Sequence, residues 1–198
     1  MSYPLVLASG SPRRRELLTQ AGYRFEVQVS SVAESRLPAE DAIRLATRLA
    51  REKAQDVFDR CSRGEVVLGA DTVVVCDGEV MGKPVNTADA TRMLSRLAGR
   101  THQVITGVAV MWGAGSAEVA AELTQVTMRT LSAEEVSGYV ATGEPMDKAG
   151  GYAIQGYAGR WIPRINGCYF NVVGLPLALV TSLLEGVEKR NGWPSSRF

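Results

Sequence analysis

Histidine is nearly missing from this chain: His102 is the only one in 198 residues. With no second histidine and no nearby serine nucleophile there is no Ser-His-Asp arrangement, and His102, at the start of a strand-like stretch, reads as structural. Cysteine is scarce as well. Cys61, Cys76 and Cys168 are odd in number, far apart and without a CxxC pair. That argues against a disulfide framework or a zinc site and for reduced thiols in the cytosol. No apolar run is long enough to cross a bilayer. Met1-Ser2-Tyr3-Pro4 leads straight into a short strand, with no basic start and long apolar stretch, so no secretory leader is expected. Nor does one sign of charge dominate. The formal net charge is +1 at pH 7, so no bulk field draws the chain to nucleic acid or membrane, and any anion site is local. Repeats and low-complexity tracts are lacking.

What is present is an ordinary globular composition, with length for one domain or for two lobes sharing a core. The most unusual stretch is Val66-Val67-Leu68-Gly69-Ala70-Asp71-Thr72-Val73-Val74-Val75. Its two β-branched runs predict a strand buried on both faces, central in a sheet. A carboxylate there is costly unless it is paired, metal-bound or directed into a cleft. The competing reading makes Gly69-Ala70-Asp71 a bulge or turn with Asp71 solvated. The segment alone weighs the two evenly.

Leu5-Val6-Leu7-Ala8 predicts a first strand, ended by Ser9-Gly10. Ser11 has the character of a helix cap and Pro12 suits the first helical position, with the helix running to Gly22. Arg13, Arg14 and Arg15 fill its first turn, where the helix dipole favours acids. Either they are a tolerated basic surface, or they reinforce the N–H groups of Ser9 to Arg14 as an anion site for a phosphate. The strand–glycine–helix-start pattern favours the anion site. Phe25–Val29 alternates like a half-buried strand, and Glu34, in the loop from Ser30 to Ala39, reads on its own as a solvated acid.

Asp41 to Arg60 predicts a helix with Ala42, Leu45, Ala46, Leu49, Ala50 and Val57 in an apolar stripe. Arg44, Arg48 and Arg51 fall on the opposite face. Lys53 sits in the middle of the stripe, so it either snorkels to the edge or reaches into a cleft holding an anion.

Asp77-Gly78 predicts a hairpin turn. Gly82-Lys83-Pro84 holds Lys83 extended beside a permissive glycine, without the spacing of a Walker A loop. Thr87 reads as the cap of a helix that buries Met93, Leu94 and Leu97 and ends at Gly99. Thr101–Trp112 and Ala120–Leu131 read as a hairpin, and Ser132-Ala133-Glu134-Glu135 as a capping box with Leu131 and Val136 as a hydrophobic staple. Pro145 to Gly156, rich in glycine and carrying Asp147, Lys148 and Gln155, is either a plain connector or a binding loop. Trp161–Ile165 predicts an edge strand because of Pro163. Leu175-Pro176 opens a last helix to about Glu185, and a domain over residues 1–186 is followed by a polar tail, 187–198.

Five blocks together resemble the Maf family of nucleoside triphosphate pyrophosphatases. They are Ser9-Gly10-Ser11-Pro12-Arg13-Arg14, Arg48-Leu49-Ala50-Arg51-Glu52-Lys53-Ala54, Gly69-Ala70-Asp71-Thr72, Gly82-Lys83-Pro84 and Asp147-Lys148-Ala149-Gly150-Gly151-Tyr152-Ala153-Ile154-Gln155-Gly156. The match runs from Leu5 to about Leu184. It implies an α/β fold of the inosine-triphosphatase-like (Maf/Ham) kind, a long mixed β-sheet flanked by helices, in two lobes with a central cleft. It also implies hydrolysis of a nucleoside triphosphate to monophosphate and pyrophosphate with a divalent metal cation, Mg or Mn.

The branch of that family acting on 7-methyl-GTP has tryptophan where this chain has Arg13 and Ser-Asp-Gln where it has Ala70-Asp71-Thr72. It also lacks the Asp147-Lys148-Ala149-Gly150 block. The chain resembles the other branch, which hydrolyses dTTP and UTP, with modified pyrimidine nucleotides a further option and Arg13, Thr72 and Gln155 as specificity positions. By the same resemblance Ser9, Arg13 and Arg14 bind substrate, Lys53 and Lys83 neutralise phosphate charge, and Glu34 and Asp71 hold the metal. Asp71 is also carried over as proton acceptor; base and ligand are not separated. The family name is linked to arrest of septum formation, so the rival reading is a nucleotide-binding regulator without turnover. The expected partner is a nucleoside triphosphate, with no nucleic acid and no membrane, in the cytoplasm. A homodimer is left open.

Overall fold

A computed structural model of the chain describes residues 5–61 and 64–191. In chain order the elements are β1 (Leu5–Leu7), α1 (Pro12–Gln20), β2 (Phe25–Val27), α2 (Ala42–Phe58), β3 (Val66–Cys76), β4 (Glu79–Met81) and α3 (Thr87–Leu97). There follow β5 (Thr101–Trp112), β6 (Ser116–Thr127), α4 (Ala133–Ala141), β7 (Arg164–Asn166), α5 (Tyr169–Val173) and α6 (Leu177–Asn191). The strands form one mixed seven-stranded sheet in the order β2-β1-β3-β5-β6-β7, with β4 paired to β3. β1 runs parallel to β2 and β3, whereas β4 on β3 and β7 on β6 are antiparallel. This is the mixed α/β architecture that the sequence predicts.

β3 is one unbroken strand with Gly69, Ala70 and Asp71 inside it, so the turn reading of that segment does not hold. Residues 66–71 are buried throughout, as a β-branched run flanked by strands on both sides requires. The chain divides into two compact units, one built from the chain up to Asp71 with Thr106–Glu122 and the chain from Gly174, the other from Thr72–Ile105 and Leu123–Val173.

In the first unit α2 lays its small apolar side chains on the sheet: Ala50, Ala54 and Val57 pack with Val6, Val67, Ala109 and Met111. The approach is close enough to require glycine. A Cβ added at Gly69 would lie 2.9 Å from Ala54 N, and one at Gly107 would lie 2.6 Å from Thr47 N. In the second unit, α3 (Met93, Leu94, Leu97) and α4 (Val136, Tyr139, Val140) share a core with Val74, Met81, Val104, Val126, Met128 and Trp161.

Local chemistry explains most element ends. Ser11 Oγ accepts from Arg14 N at the start of α1, with Pro12 in the first helical position. Asp41 caps α2 and Ser132 with Glu135 forms the capping box of α4. Asp77 (φ 49°) and Gly78 (φ 79°) are both left-handed, as a two-residue type I′ turn demands.

Several boundaries differ from expectation. The cap of α3 is Asn86, whose Oδ1 accepts from Asp89 N at 2.9 Å, rather than Thr87. β6 begins at Ser116 and ends at Thr127, because Gly113-Ala114-Gly115 already completes the turn with Gly113 and Gly115 at positive φ. β2 stops at Val27; Val27 and Val29 are exposed rather than alternately buried. β7 is confined to Arg164–Asn166 because Trp161 closes a 3-10 turn, its indole edge-on to Tyr139 at 5.1 Å. α5 is not foreseen. It is pinned by Asn171, whose amide donates to Val104 O and Thr124 Oγ1, both at 2.9 Å. α6 continues through Gly186 to Asn191, and residues 192–198 of the expected tail lie outside the described residues. No helix among the described residues is long and apolar enough to cross a membrane.

Candidate active site

The central question about α2 is where Lys53 goes from the middle of an apolar stripe. It does not snorkel. The residue is 7% exposed, and Nζ donates to Glu34 Oε1 at 2.5 Å and to Asp71 Oδ1 at 2.6 Å. The close packing of α2 on Gly69 brings the lysine stem alongside β3, so a residue that would burden the core becomes the partner of the strand's carboxylate. Asp71 is itself 6% exposed. Burial raises its pKa, the Lys53 ammonium opposes that rise, and the nearby Glu34 carboxylate adds to it.

Ser9, Arg13 and Arg14 come from the β1–α1 junction of the same unit. Ser9 is buried, and its Oγ accepts from Ser11 N at 3.2 Å and from Arg14 Nη1 at 3.4 Å. Arg14 donates from Nε to Gly174 O at 2.8 Å and from Nη1 to Ala70 O at 2.7 Å. Burial lowers its pKa, and the carboxylates of Asp71 and Glu34 oppose this. Arg14 therefore ties α1 to the strand position next to Asp71, more than the simple phosphate ligand expected of it. The expected row of N–H donors from Ser9 to Arg14 is narrower too, because the N–H groups of Ser11 and Arg14 are taken by the hydroxyls of Ser9 and Ser11. Arg13 lies half-buried one residue inside the helix.

Glu34 is where local reading failed. Its side chain is 39% exposed but is ion-paired with Lys53. Its loop is fastened to α2 on both sides: Ser31 N donates to Asp56 Oδ2 at 2.9 Å, and Arg48 Nη2 donates to Ser35 O at 2.9 Å. Arg48, expected on the face opposite the apolar stripe, grips Glu40 and Glu52. Apart from the family resemblance, which names Glu34 as a metal ligand, only the position of Lys53 within its stripe hinted at a nearby anion, and nothing in the loop itself pointed to Glu34.

Lys83, Thr72 and Gln155 belong to the second unit. Thr72 follows Asp71 in β3 and is half-buried; Lys83 and Gln155 are exposed. The segments of Lys83 and Gln155 are joined by a main-chain bond, Gly150 N to Gly82 O at 3.0 Å. Gly150 (φ 69°) and Gly151 (φ 71°) make the bend that this bond needs. Beyond it, Tyr152 OH meets His102 Nε2 at 2.7 Å and Ala153 N donates to Tyr139 OH at 3.3 Å. The glycine-rich segment is therefore anchored by specific bonds rather than being a slack connector. His102 is structural, as expected: it is 2% exposed and burial drives its pKa down to about 4.

No group of three or more His, Cys, Asp or Glu side chains among the described residues is placed to hold a metal by itself. Glu34 and Asp71 supply two carboxylates that share one ammonium. A magnesium-type ion takes one or two carboxylates and completes its shell with substrate phosphate oxygens and water. The donor set fits such an ion in the presence of a triphosphate.

The family model described as Maf-like protein matches residues 4–187. A dTTP/UTP pyrophosphatase of Salmonella typhimurium is 52% identical over 181 residues, 91% of each chain. One from Geobacter sulfurreducens is 52% identical over 184 residues, covering 92% of this chain and 96% of the relative. One from Symbiobacterium thermophilum is 53% identical over 180 residues, covering 91% and 92%. Among solved structures, the Ham1 protein of Staphylococcus aureus superposes with a TM-score of 0.50 at 12% identity, over 93% of this chain and 99% of that one, a likeness of fold alone. Spanning almost the whole chain, the family match and these relatives leave one assignment: the chain belongs to the Maf-like protein family.

Proposed function

We propose that the chain is a nucleoside triphosphate pyrophosphatase that hydrolyses dTTP and UTP to the monophosphate and pyrophosphate, with modified pyrimidine nucleotides within its range. The observation that carries this reading is Lys53 Nζ held between Glu34 and Asp71 at 2.5 and 2.6 Å. The names of the relatives at about half identity support the substrate assignment.

Water attacks the α-phosphorus. The new P–O bond forms as the bridging bond to the β-phosphate breaks, and the electron pair leaves with pyrophosphate. Asp71 takes the water's proton: Lys53 occupies Oδ1, leaving Oδ2 to accept it. The upward shift of its pKa by burial moves it toward the range in which a general base works well. Lys53, Lys83, Arg13 and Arg14 offset the triphosphate charge, so catalysis is mainly positioning and charge stabilisation. Glu34 and Asp71 would hold a divalent cation, which would supply further positive charge at the phosphates. Thr72 and Gln155 discriminate the base, the amide of Gln155 being able to donate and accept at once. Cys61, Cys76 and Cys168 are all free, which supports a reducing compartment such as the cytoplasm.

A regulator that only binds nucleotide has use for the cations but none for a buried carboxylate with a raised pKa. The test is pyrophosphate release from dTTP, UTP, CTP and 7-methyl-GTP with and without magnesium. Magnesium-dependent release from dTTP and UTP, well above the other two, is expected. Tight nucleotide binding with no release from any of them favours the regulator.

A further inference from the structure

One arginine that this reaction does not use fastens the loop carrying Glu34. Arg48 projects from α2 five residues before Lys53. Its Nε and Nη2 donate to Glu40 Oε1 and Oε2 at 2.7 and 2.8 Å, a two-pronged pairing, while Nη1 donates to Glu52 Oε2 at 2.9 Å. Nη2 also donates to the carbonyl of Ser35, the residue next to Glu34, at 2.9 Å. Glu40 secures the far end of the same segment. It is 8% exposed, Oε2 accepts from Leu37 N at 3.1 Å, and its main-chain oxygen accepts from Arg36 Nε and Nη2 at 2.9 and 2.7 Å. The hydrogen bond from Arg48 holds the Glu40 carboxyl down at about 2.

Lys53 and Arg48 thus act from one helix on two adjacent residues: the lysine grips the Glu34 carboxylate and the arginine grips the Ser35 main chain. Exposed ion pairs stabilise little. A guanidinium that grips one carboxylate and one carbonyl of a single short loop, and is itself held by Glu52 on its own helix, fixes geometry instead. Lysine replaces it only in part, since one ammonium does not match a planar fork of donors.

We infer that Arg48 is a positioning residue for Glu34, fixing the 34–40 loop through the Ser35 carbonyl and the Glu40 carboxylate so that the Glu34 carboxylate is held ready for the divalent cation. This rests on the reading of Glu34 as a metal ligand. The charge of Arg48 is neutralised by Glu40 and Glu52, so its effect passes through the loop rather than through the substrate.

The test compares wild type with Arg48→Gln, Arg48→Lys and, as a control on the same helix, Arg44→Gln, whose side chain is 81% exposed in the parent. Mn2+ binding is followed by electron paramagnetic resonance with the non-hydrolysable α,β-imido-UTP, and the Mg2+ dependence of dTTP hydrolysis is measured separately. Arg48→Gln is expected to raise the Mn2+ Kd and the Mg2+ half-saturation by about tenfold, the lower end for groups that orient a ligand from behind. Its kcat at saturating Mg2+ should stay within about threefold of wild type, the signature of a lost ligand position rather than a lost catalytic group. Arg48→Lys should fall in between and Arg44→Gln should match wild type. Unchanged Mn2+ and Mg2+ affinities in a folded Arg48→Gln protein would overturn the inference, as would a fall in kcat that no Mg2+ concentration restores. If Arg48→Gln fails to fold, Arg48→Lys and Glu40→Gln carry the same comparison. Because the Mn2+ measurement needs no turnover, a wild type that binds Mn2+ in an Arg48-dependent way but cleaves nothing refutes the pyrophosphatase reading and leaves the clamp standing.

Discussion

Lys53 carries one positive charge between two carboxylates, and that imbalance shapes what Asp71 contributes. Burial lifts the folded pKa of Asp71 above its ordinary value of 3.8. Its favourable contribution to stability is therefore complete below that value and is lost as pH rises through the folded pKa. At neutral pH the ionised carboxylate costs stability. Asp71→Asn removes that cost while Lys53 keeps Glu34 as partner, so Tm at pH 7 should equal or exceed wild type. Turnover should fall by about two to four orders of magnitude, the usual yield of a general base. A fall in Tm with kcat preserved makes Asp71 a structural residue. Lys53 was legible in the sequence because helical periodicity is local: its neighbours one turn away on each side, Leu49 and Val57, suffice to mark a charge in an apolar stripe. Glu34 was legible only through the family resemblance, because its partner lies 19 residues away and no periodicity relates a loop to a helix. The partners of Arg48 were hidden for the same reason: a helical wheel records the face of a residue but not the loop that returns across it.

α2 is the element on which the site depends, and two glycines set its height above the sheet. Gly69 lies next to the site, but Gly107 in β5 is remote in sequence from every candidate site residue, and a Cβ there would run into the Ala46 and Thr47 main chain. Gly107→Ala should push α2 outward and cost about 1–3 kcal/mol, as overpacking does. It should also lower kcat, because Lys53 moves with the helix. A drop in Tm with kcat per folded molecule unchanged would show that the site tolerates the shift. β5 carries a second liability at its start. His102 has a folded pKa of about 4 against 6.5 when free, so the unfolded chain binds a proton that the native one refuses. Stability is therefore lost as pH falls from about 6.5 toward 4, by on the order of 3 kcal/mol at about 1.4 kcal/mol per unit. Tm measured from pH 7 to pH 4.5 should fall more steeply for wild type than for His102→Gln, and parallel curves refute the assignment. Elements with a strong local signal (α2, α3, α4 and the β3–β4 turn) were legible within a residue or two. The stretch from Tyr157 to Val173 was not. There Trp161 has the β propensity of a strand, but packing against Tyr139 and Tyr157 decides its conformation, and the five-residue α5 is too short for its periodicity to register.

Over the molecule as a whole, a net charge of +1 carries no steering field, so recognition of a polyanion falls to local groups. Ser9, Arg13, Arg14, Glu34, Lys53 and Asp71 come from the first unit, and Thr72, Lys83 and Gln155 from the second. The five sequence blocks made the family legible before any geometry, whereas hydrogen bonds between distant segments, such as Arg14 to Gly174 and Lys53 to Glu34, show only in the folded chain. The account predicts where a water oxygen ends up. With dTTP hydrolysed in H2 18O in the presence of magnesium and the products resolved by mass spectrometry, the label should appear in dTMP with none in pyrophosphate. Label in the pyrophosphate, or release of orthophosphate in its place, would contradict attack at the α-phosphorus by water activated at Asp71.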